Sequence, residues 1–382
     1  MAVLKRLFFS LFFLFALLTL SLYVFRLIGY SFSFAFFLLG LLIILSLKYI
    51  PTNSWRIYFL LLIHQYIVLV LFVFELDFIE FLKSFLLVNI ALLAILSSKF
   101  HIPRAILQIN FKAIFSFAAC IIVFYELIQV LEYNLMGTSF SWFFLDKYSI
   151  STAEDVGRFQ AVNFLDYMRP ISLYHEPSYL GLVLFSMLIW GDSVKIKLEV
   201  KLLIILGIIL SFSTTIYLFM VLYYIPKLYN NKYVKVFFCL FVVYFIIKYN
   251  ITIFEFFRFN EIATEGTSGY ARIGAPFFQV IDIIFYQHNF FGIPFGQSPI
   301  MFDNSFFVIF SYYGILTPLF YLLIFGSVFK NVKEYNKLFD YFLIVGACLF
   351  VNGAFFTPET SFLIVITNYI LLNNLTFNKE KL

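Results

Sequence analysis

Four arginines have the type and spacing most suggestive of chemistry: Arg158 and Arg169 in one polar stretch, Arg258 and Arg272 in another. A guanidinium presents a planar fork that grips phosphate oxygens in pairs and stays charged at working pH. Lysine does neither as well. Four such forks in an otherwise apolar chain point to a phosphate or diphosphate ligand carried on a lipid. The plainer alternative is pairing with nearby acids, for which Glu154, Asp155, Asp166, Glu261 and Glu265 are at hand. Single surface pairs of that kind contribute little, and the group of four favours the ligand.

Other polar groups gather around these arginines. Arg169 opens the segment Arg169-Pro170-Ile171-Ser172-Leu173-Tyr174-His175-Glu176-Pro177-Ser178-Tyr179-Leu180-Gly181. Pro177 suits the first position of a helix. Glu176 before it can cap that helix and meet its positive end, or it can orient Arg169 or a sugar hydroxyl. The other histidines are His64, His101 and His288, and no two of the four show the spacing of metal ligands, so no metal or other cofactor is expected. His288 shares a stretch with Arg258 and Arg272, which makes it a better candidate acid or base than His175. Residues 276–285 are apolar but too short to span a membrane, and they predict a helix lying in the interface with a wet side near Gln279 and Asp282. Gly292, Pro294, Gly296 and Pro299 enforce turns after it. Asp303-Asn304 then leads into an apolar run, where an N-cap is the plain reading. Trp142, Phe143 and Phe144 suit interface anchors, or platforms for sugar rings.

The elements that must position these groups follow from composition. Of 382 residues 63% are apolar, 57 are Phe and only 12% are charged, against about a quarter charged in a soluble domain. One soluble core could not hide that much apolar surface. A cytosolic enzyme, a secreted disulfide scaffold and a disordered chain are excluded. Cys120, Cys239 and Cys348 each lie in an apolar run and act there as small hydrophobes. Roughly eleven apolar runs appear, near 7–25, 32–47, 57–74, 84–98, 113–131, 178–190, 202–225, 236–253, 305–329, 338–356 and 360–372. Helices are the only fit, because the runs do not alternate as barrel strands do. The fold class is therefore an all-α polytopic membrane helix bundle, one membrane domain over residues 1–382, with long external loops at 132–177 and 254–304. Lys5 and Arg6 before the first run read as a signal anchor.

The positive-inside rule places both termini in the cytoplasm, along with Lys48, Arg56, Lys99, Arg104, Lys112, Lys195, Lys197 and Lys201. It fails at Lys227, Lys232 and Lys235 if run 202–225 is one plain span. All later basic clusters fall inside if that run enters from the cytoplasm and returns to it. Its most polar patch is Ser211-Phe212-Ser213-Thr214-Thr215, so two half-length helices broken there are predicted. Broken helices at membrane depth belong where they are buried or line a cavity, and Ser211, Ser213, Thr214 and Thr215 are then candidate cavity-lining residues. The count becomes about twelve passes. The sorted charges make the cytoplasmic side rich in Lys and leave the four arginines outside, against the usual bias.

At these residues the chain resembles bacterial O-antigen and capsule repeat-unit polymerases of the Wzy type. The resemblance rests on His175-Glu176-Pro177-Ser178-Tyr179-Leu180-Gly181 at the end of an Arg-bearing first loop. A matching second loop runs from Arg272 through an interfacial helix to Asn289-Phe290-Phe291-Gly292-Ile293-Pro294-Phe295-Gly296. Asp303-Asn304-Ser305-Phe306 then enters a span that carries Gly314. It covers roughly residues 150–325, and O-antigen ligases share the layout. It implies a metal-independent, membrane-embedded glycosyltransferase of the bacterial inner membrane. Such an enzyme joins undecaprenyl-diphosphate-linked oligosaccharides, with a chain-length regulator as a candidate partner and no nucleic acid. Arg169 and Arg272 match the arginines that face diphosphate and glycan; Arg158, His175, Arg258 and Asn304 stand beside them as candidate binders. Ligases typically carry His-Asn where this chain has Asp303-Asn304, which favours a polymerase and leaves the base open among Glu176, His288 and Asp303. A ligase and a lipid-linked oligosaccharide flippase are the alternatives. A transporter would more often show charged spans and internal repeats.

Overall fold

A computed structural model describes residues 2–20, 23–27, 30–75, 77–107, 109–137, 161–162, 167–174, 176–228, 265, 270, 274–294, 312–329, 334–350 and 358–372. The described residues are overwhelmingly helical, as the runs predict. The helices are α1 (Ala2–Leu18), α2 (Phe34–Ser46), α3 (Thr52–Leu71), α4 (Phe78–Phe100), the short α5 (Arg104–Leu107) and α6 (Phe111–Leu131). They continue as α7 (Pro177–Ser193), α8 (Leu198–Leu210), α9 (Thr214–Leu228), α10 (Ala275–Ile281), α11 (Leu316–Phe329), α12 (Tyr335–Phe350) and α13 (Pro358–Thr367). Two short antiparallel ribbons are additions that periodicity missed. β1 (Tyr23–Leu27) pairs with β2 (Tyr30–Ser33), and β3 (Ala161–Val162) with β4 (Tyr167–Met168). The first ribbon corrects run 7–25, which leaves the helix after Leu18.

Two helical stretches, Thr52–Leu71 and Phe111–Met136, are long and apolar enough to cross a membrane. α4 is 23 residues long but its apolar stretch is Val88–Phe100, and the other apolar helices are shorter, so the twelve passes are not established by helix length. Run 236–253 lies outside the described residues. On α3, His64, Gln65, Ser54 and Tyr58 are buried, while Phe59, Leu60, Ile63, Ile67 and Leu71 are exposed. On α6, Glu126 and Gln129 are buried and Phe117, Phe124 and Leu131 are exposed. Polar inside and apolar outside is the arrangement a helix adopts in lipid.

α7 is the central post. Nearly all of it is buried, from Pro177 to Gly191, because its sequence is apolar around the full circumference. It packs against α6, α8, α9, α12 and α13. Its Trp190 stacks on Phe115 of α6 at 5.3 Å and donates its indole N–H to the Thr367 hydroxyl of α13 at 3.1 Å.

The break predicted in run 202–225 is present. α8 stops at Leu210, Ser211 and Phe212 turn with Phe212 at φ +49°, and α9 begins at Thr214. Asp192, at the end of α7, bonds both Lys201 near the start of α8 and Lys227 near the end of α9. Tyr223 of α9 also donates to it. α8 and α9 therefore run out and back, and Lys227 returns to the end of the bundle that holds Lys201. Thirteen and fifteen residues make helices of about 20 and 22 Å, each short of the roughly 30 Å hydrocarbon core. With Cys120, Cys239 and Cys348 removed, Lys195→Cys and Lys227→Cys should both react with a membrane-impermeant thiol reagent from the same face. Labelling of the two from opposite faces of sealed vesicles would refute the return.

Candidate functional site

The end of the first loop is anchored before it reaches α7. Arg169 follows β4 directly, and β4 packs on the turn that prolongs α6 over Glu132–Met136. Beyond Arg169 the chain plugs into α6. Gln129 Oε1 accepts the backbone N–H groups of Ile171 and Ser172 at 2.9 and 2.7 Å, and Gln129 Nε2 donates to the Ser172 carbonyl at 3.2 Å. The Ser172 hydroxyl donates to the Ile122 carbonyl at 2.7 Å, with Ser172 in the left-handed region at φ +51°. Tyr174 is fully buried, and its hydroxyl donates to the Leu17 carbonyl of α1. One glutamine thus fixes where Arg169 stands, and nothing in the loop's own pattern announced it. Gln129→Ala would leave two buried N–H donors unpaired, at about 1–3 kcal/mol each. It should lower the thermal unfolding temperature and shorten the glycan product together, whereas unchanged unfolding would show that the turn is held by other means.

Glu176 occupies the N-cap position of α7 in an extended conformation and is half-buried, yet its side chain makes no capping bond. The Ser178 hydroxyl donates to Glu176 Oε2 at 2.8 Å, so a side chain of the first helical turn, not a capping N–H, engages the carboxylate. Gly181, one turn into α7, lies against the break. A Cβ there would sit 3.1–3.3 Å from Ile216, Ser213 and Ser211. Ser211 and Ser213 are buried, Ser211 Oγ donates to the Ile208 carbonyl, and Thr214 and Thr215 are half-buried at the start of α9. The motif that begins at Arg169 and the broken run are therefore one structural unit.

The second loop supplies a separate assembly. α10 continues into the π turn Asp282–Tyr286, and its orientation corrects the reading of Gln279. Gln279 is buried with Ile283 and Ile284, whereas Phe277, Phe278, Phe285 and Tyr286 are exposed. The amide packs on the side of Ile283 and Ile284, which leaves the aromatic rings outward. Asp282 is exposed and bonds Gln287 at 2.6 Å. His288 is exposed at φ +56°. Next to it, the Phe290 carbonyl accepts from the Ile315 N–H at 3.1 Å, beside Gly314. His64 of α3 bonds the Tyr313 carbonyl through Nε2 at 2.8 Å. His101 stacks on Tyr49 at 3.6 Å, where burial and then Lys48 hold its imidazole below the usual range. Among the described residues no three His, Cys, Asp or Glu side chains come together. Arg158, His175, Arg258, Arg272, Asp303 and Asn304 lie outside the described residues.

Arg169 is half-buried and stands two residues before a turn held by the buried Gln129. A model described as WcaD colanic acid polymerase matches residues 10–372. The chain belongs to the WcaD family. It is a Wzy-type polymerase, and the anchored segment and the broken run both lie inside the matched region. WcaD membership accounts for polar groups turned inward among lipid-facing helices, because polymerases of this type are integral membrane proteins. Searches of curated proteins and of solved structures found no match.

Proposed function

We propose that this WcaD-family chain joins undecaprenyl-diphosphate-linked oligosaccharide repeat units into O-antigen or capsular polysaccharide, at the external face of the bacterial inner membrane with both termini cytoplasmic. The observation that carries the reading is Arg169, held at the mouth of α7 by the Gln129 bonds to Ile171 and Ser172. In the proposed step, an acceptor hydroxyl oxygen attacks the anomeric carbon of the donor glycan, and the diphosphate departs with the bonding electron pair. Arginine forks offset the charge that develops on the leaving diphosphate. Arg169 serves the first loop, and Arg158, Arg258 and Arg272 are proposed to complete the grip. Glu176 and His288, with Asp303, remain the candidates for contact with the acceptor sugar. Ser211, Ser213, Thr214 and Thr215 are proposed to shape the floor of the lipid-diphosphate cavity.

Purified protein in vesicles, supplied with lipid-linked repeat units on the external side alone, should yield a ladder of polymer lengths. Transfer of single glycans to a non-repeat acceptor would identify a ligase. Movement of the lipid-linked unit across the bilayer with no glycan bond formed would identify a flippase.

A further inference from the structure

Among the described acids one has no exposed surface at all, and the proposed site does not use it. Glu126 lies in the last third of α6 with no exposed surface, and neither carboxylate oxygen has a hydrogen-bond partner among the described residues. It occupies the helix face between Ile122 and Gln129, the two residues that receive the Ser172 turn. α8 is notched to admit it: a Cβ on Gly207 would lie 2.8 Å from Glu126 Oε2, and as close to Leu184 and Val123. A carboxyl at this depth without a bonded partner is expensive, and an apolar residue of similar size would fill the place at less cost. An ionisable group retained inside a membrane bundle is a functional candidate.

Tyr217 of α9 completes the arrangement. Its hydroxyl donates to the Ile209 carbonyl at 2.5 Å, so it rests on the same last turn of α8 that carries Gly207. Tyr217 is half-buried, and it lies within electrostatic reach of both Glu126 and Arg169. Leu184 of α7 and Val123 of α6 crowd the same Gly207 face, and α1 meets α6 through apolar rings such as Phe13 on Phe111.

We propose that Glu126 is the proton acceptor of the reaction, reached from the acceptor sugar through Tyr217. The acceptor oxygen bonds the anomeric carbon while the bond from that carbon to the diphosphate oxygen breaks toward the diphosphate. The hydroxyl proton passes to Tyr217 Oη as the phenolic proton swings from the Ile209 carbonyl to the Glu126 carboxylate. After the product leaves, the proton returns to solvent along the same path. Glu126 acts through Tyr217 and is a positioning residue, not one that touches sugar. The inference rests on the polymerase reading.

The test is the pH dependence of initial elongation rate, with purified protein and lipid-linked repeat units. Glu126→Gln should cut turnover by about 10²-fold, leave KM for the lipid-linked unit nearly unchanged, and remove the acidic limb on which the rate rises with pH. Tyr217→Phe should give the same flattened profile. Glu126→Leu should unfold at no lower temperature than wild type and yet be as slow as Glu126→Gln. Wild-type rate and profile in Glu126→Gln overturn the proposal, as does a Glu126→Leu variant that is both stable and active. If the wild-type protein itself makes no polymer, the polymerase reading fails first and the relay falls with it.

Discussion

Arg169→Ala should abolish glycan elongation while protein level and membrane insertion stay at wild type. Loss of one preorganised donor to a developing anion typically costs about 10²- to 10³-fold in rate, and a diphosphate leaving group gathers more charge than one oxyanion. The fold should survive, because the turn that follows Arg169 is held by backbone bonds to Gln129 and by the Ser172 hydroxyl on Ile122, none of which involves the guanidinium. Arg169→Lys separates charge from geometry: it keeps the positive charge and loses the paired fork, so it should retain part of the activity. Arg272→Ala should show the same loss from the second loop. The readout is the polymer ladder from lipid-linked units, with protein amount measured in parallel. A full ladder from Arg169→Ala would remove the arginine from the site and leave the loop as a structural cap.

The physical cause of each legible feature is local or additive, and that of each illegible one is a contact across the chain. The broken run could be read because Lys227 carries a charge whose side is fixed by simple counting, and Ser211 to Thr215 mark the weak point. The start of α7 could be read because Glu176-Pro177 sets it within two residues. Gln129 could not, because its partners are Ile171 and Ser172, more than forty positions away. His64 takes the Tyr313 carbonyl from 249 positions away, and no periodicity connects them. The first helix ends at Leu18 although the apolar run continues, because aromatic and β-branched residues at 23–33 pair as a ribbon and hydropathy does not distinguish the two states. Gln279 turns inward with Ile283 and Ile284 and leaves Phe277 and Phe278 exposed, a facing set by packing against other elements and not by the local pattern. Glu126 did leave a signal, an acid within the apolar run 113–131.

Replacement of Gly314 should be the most damaging single-methyl change among the described glycines. Gly314 has φ +76°, a conformation that costs an L-residue about 1 kcal/mol or more. Its missing Cβ would fall 2.2 Å from the Phe290 carbonyl oxygen and 2.7 Å from the Phe291 backbone. Both obstacles are main chain, so no rotamer change relieves them, and overpacking of this kind adds about 1–3 kcal/mol. The strand of chain at Phe290 and Phe291 would have to move off, breaking the Ile315 N–H bond to the Phe290 carbonyl. That strand carries His288 and the Asn289-Phe290-Phe291-Gly292 segment of the second loop. Gly314→Ala should therefore lower stability by about 2–4 kcal/mol and abolish elongation, although its side chain touches no candidate sugar or diphosphate group. Gly40→Ala in α2 is the control. Nothing lies within 4 Å of its added Cβ, and alanine in a helix interior is favoured over glycine by about 0.5–1 kcal/mol, so that variant should be fully active and no less stable. Equal behaviour of the two variants would show that the close approach at Gly314 does not hold the second loop in place.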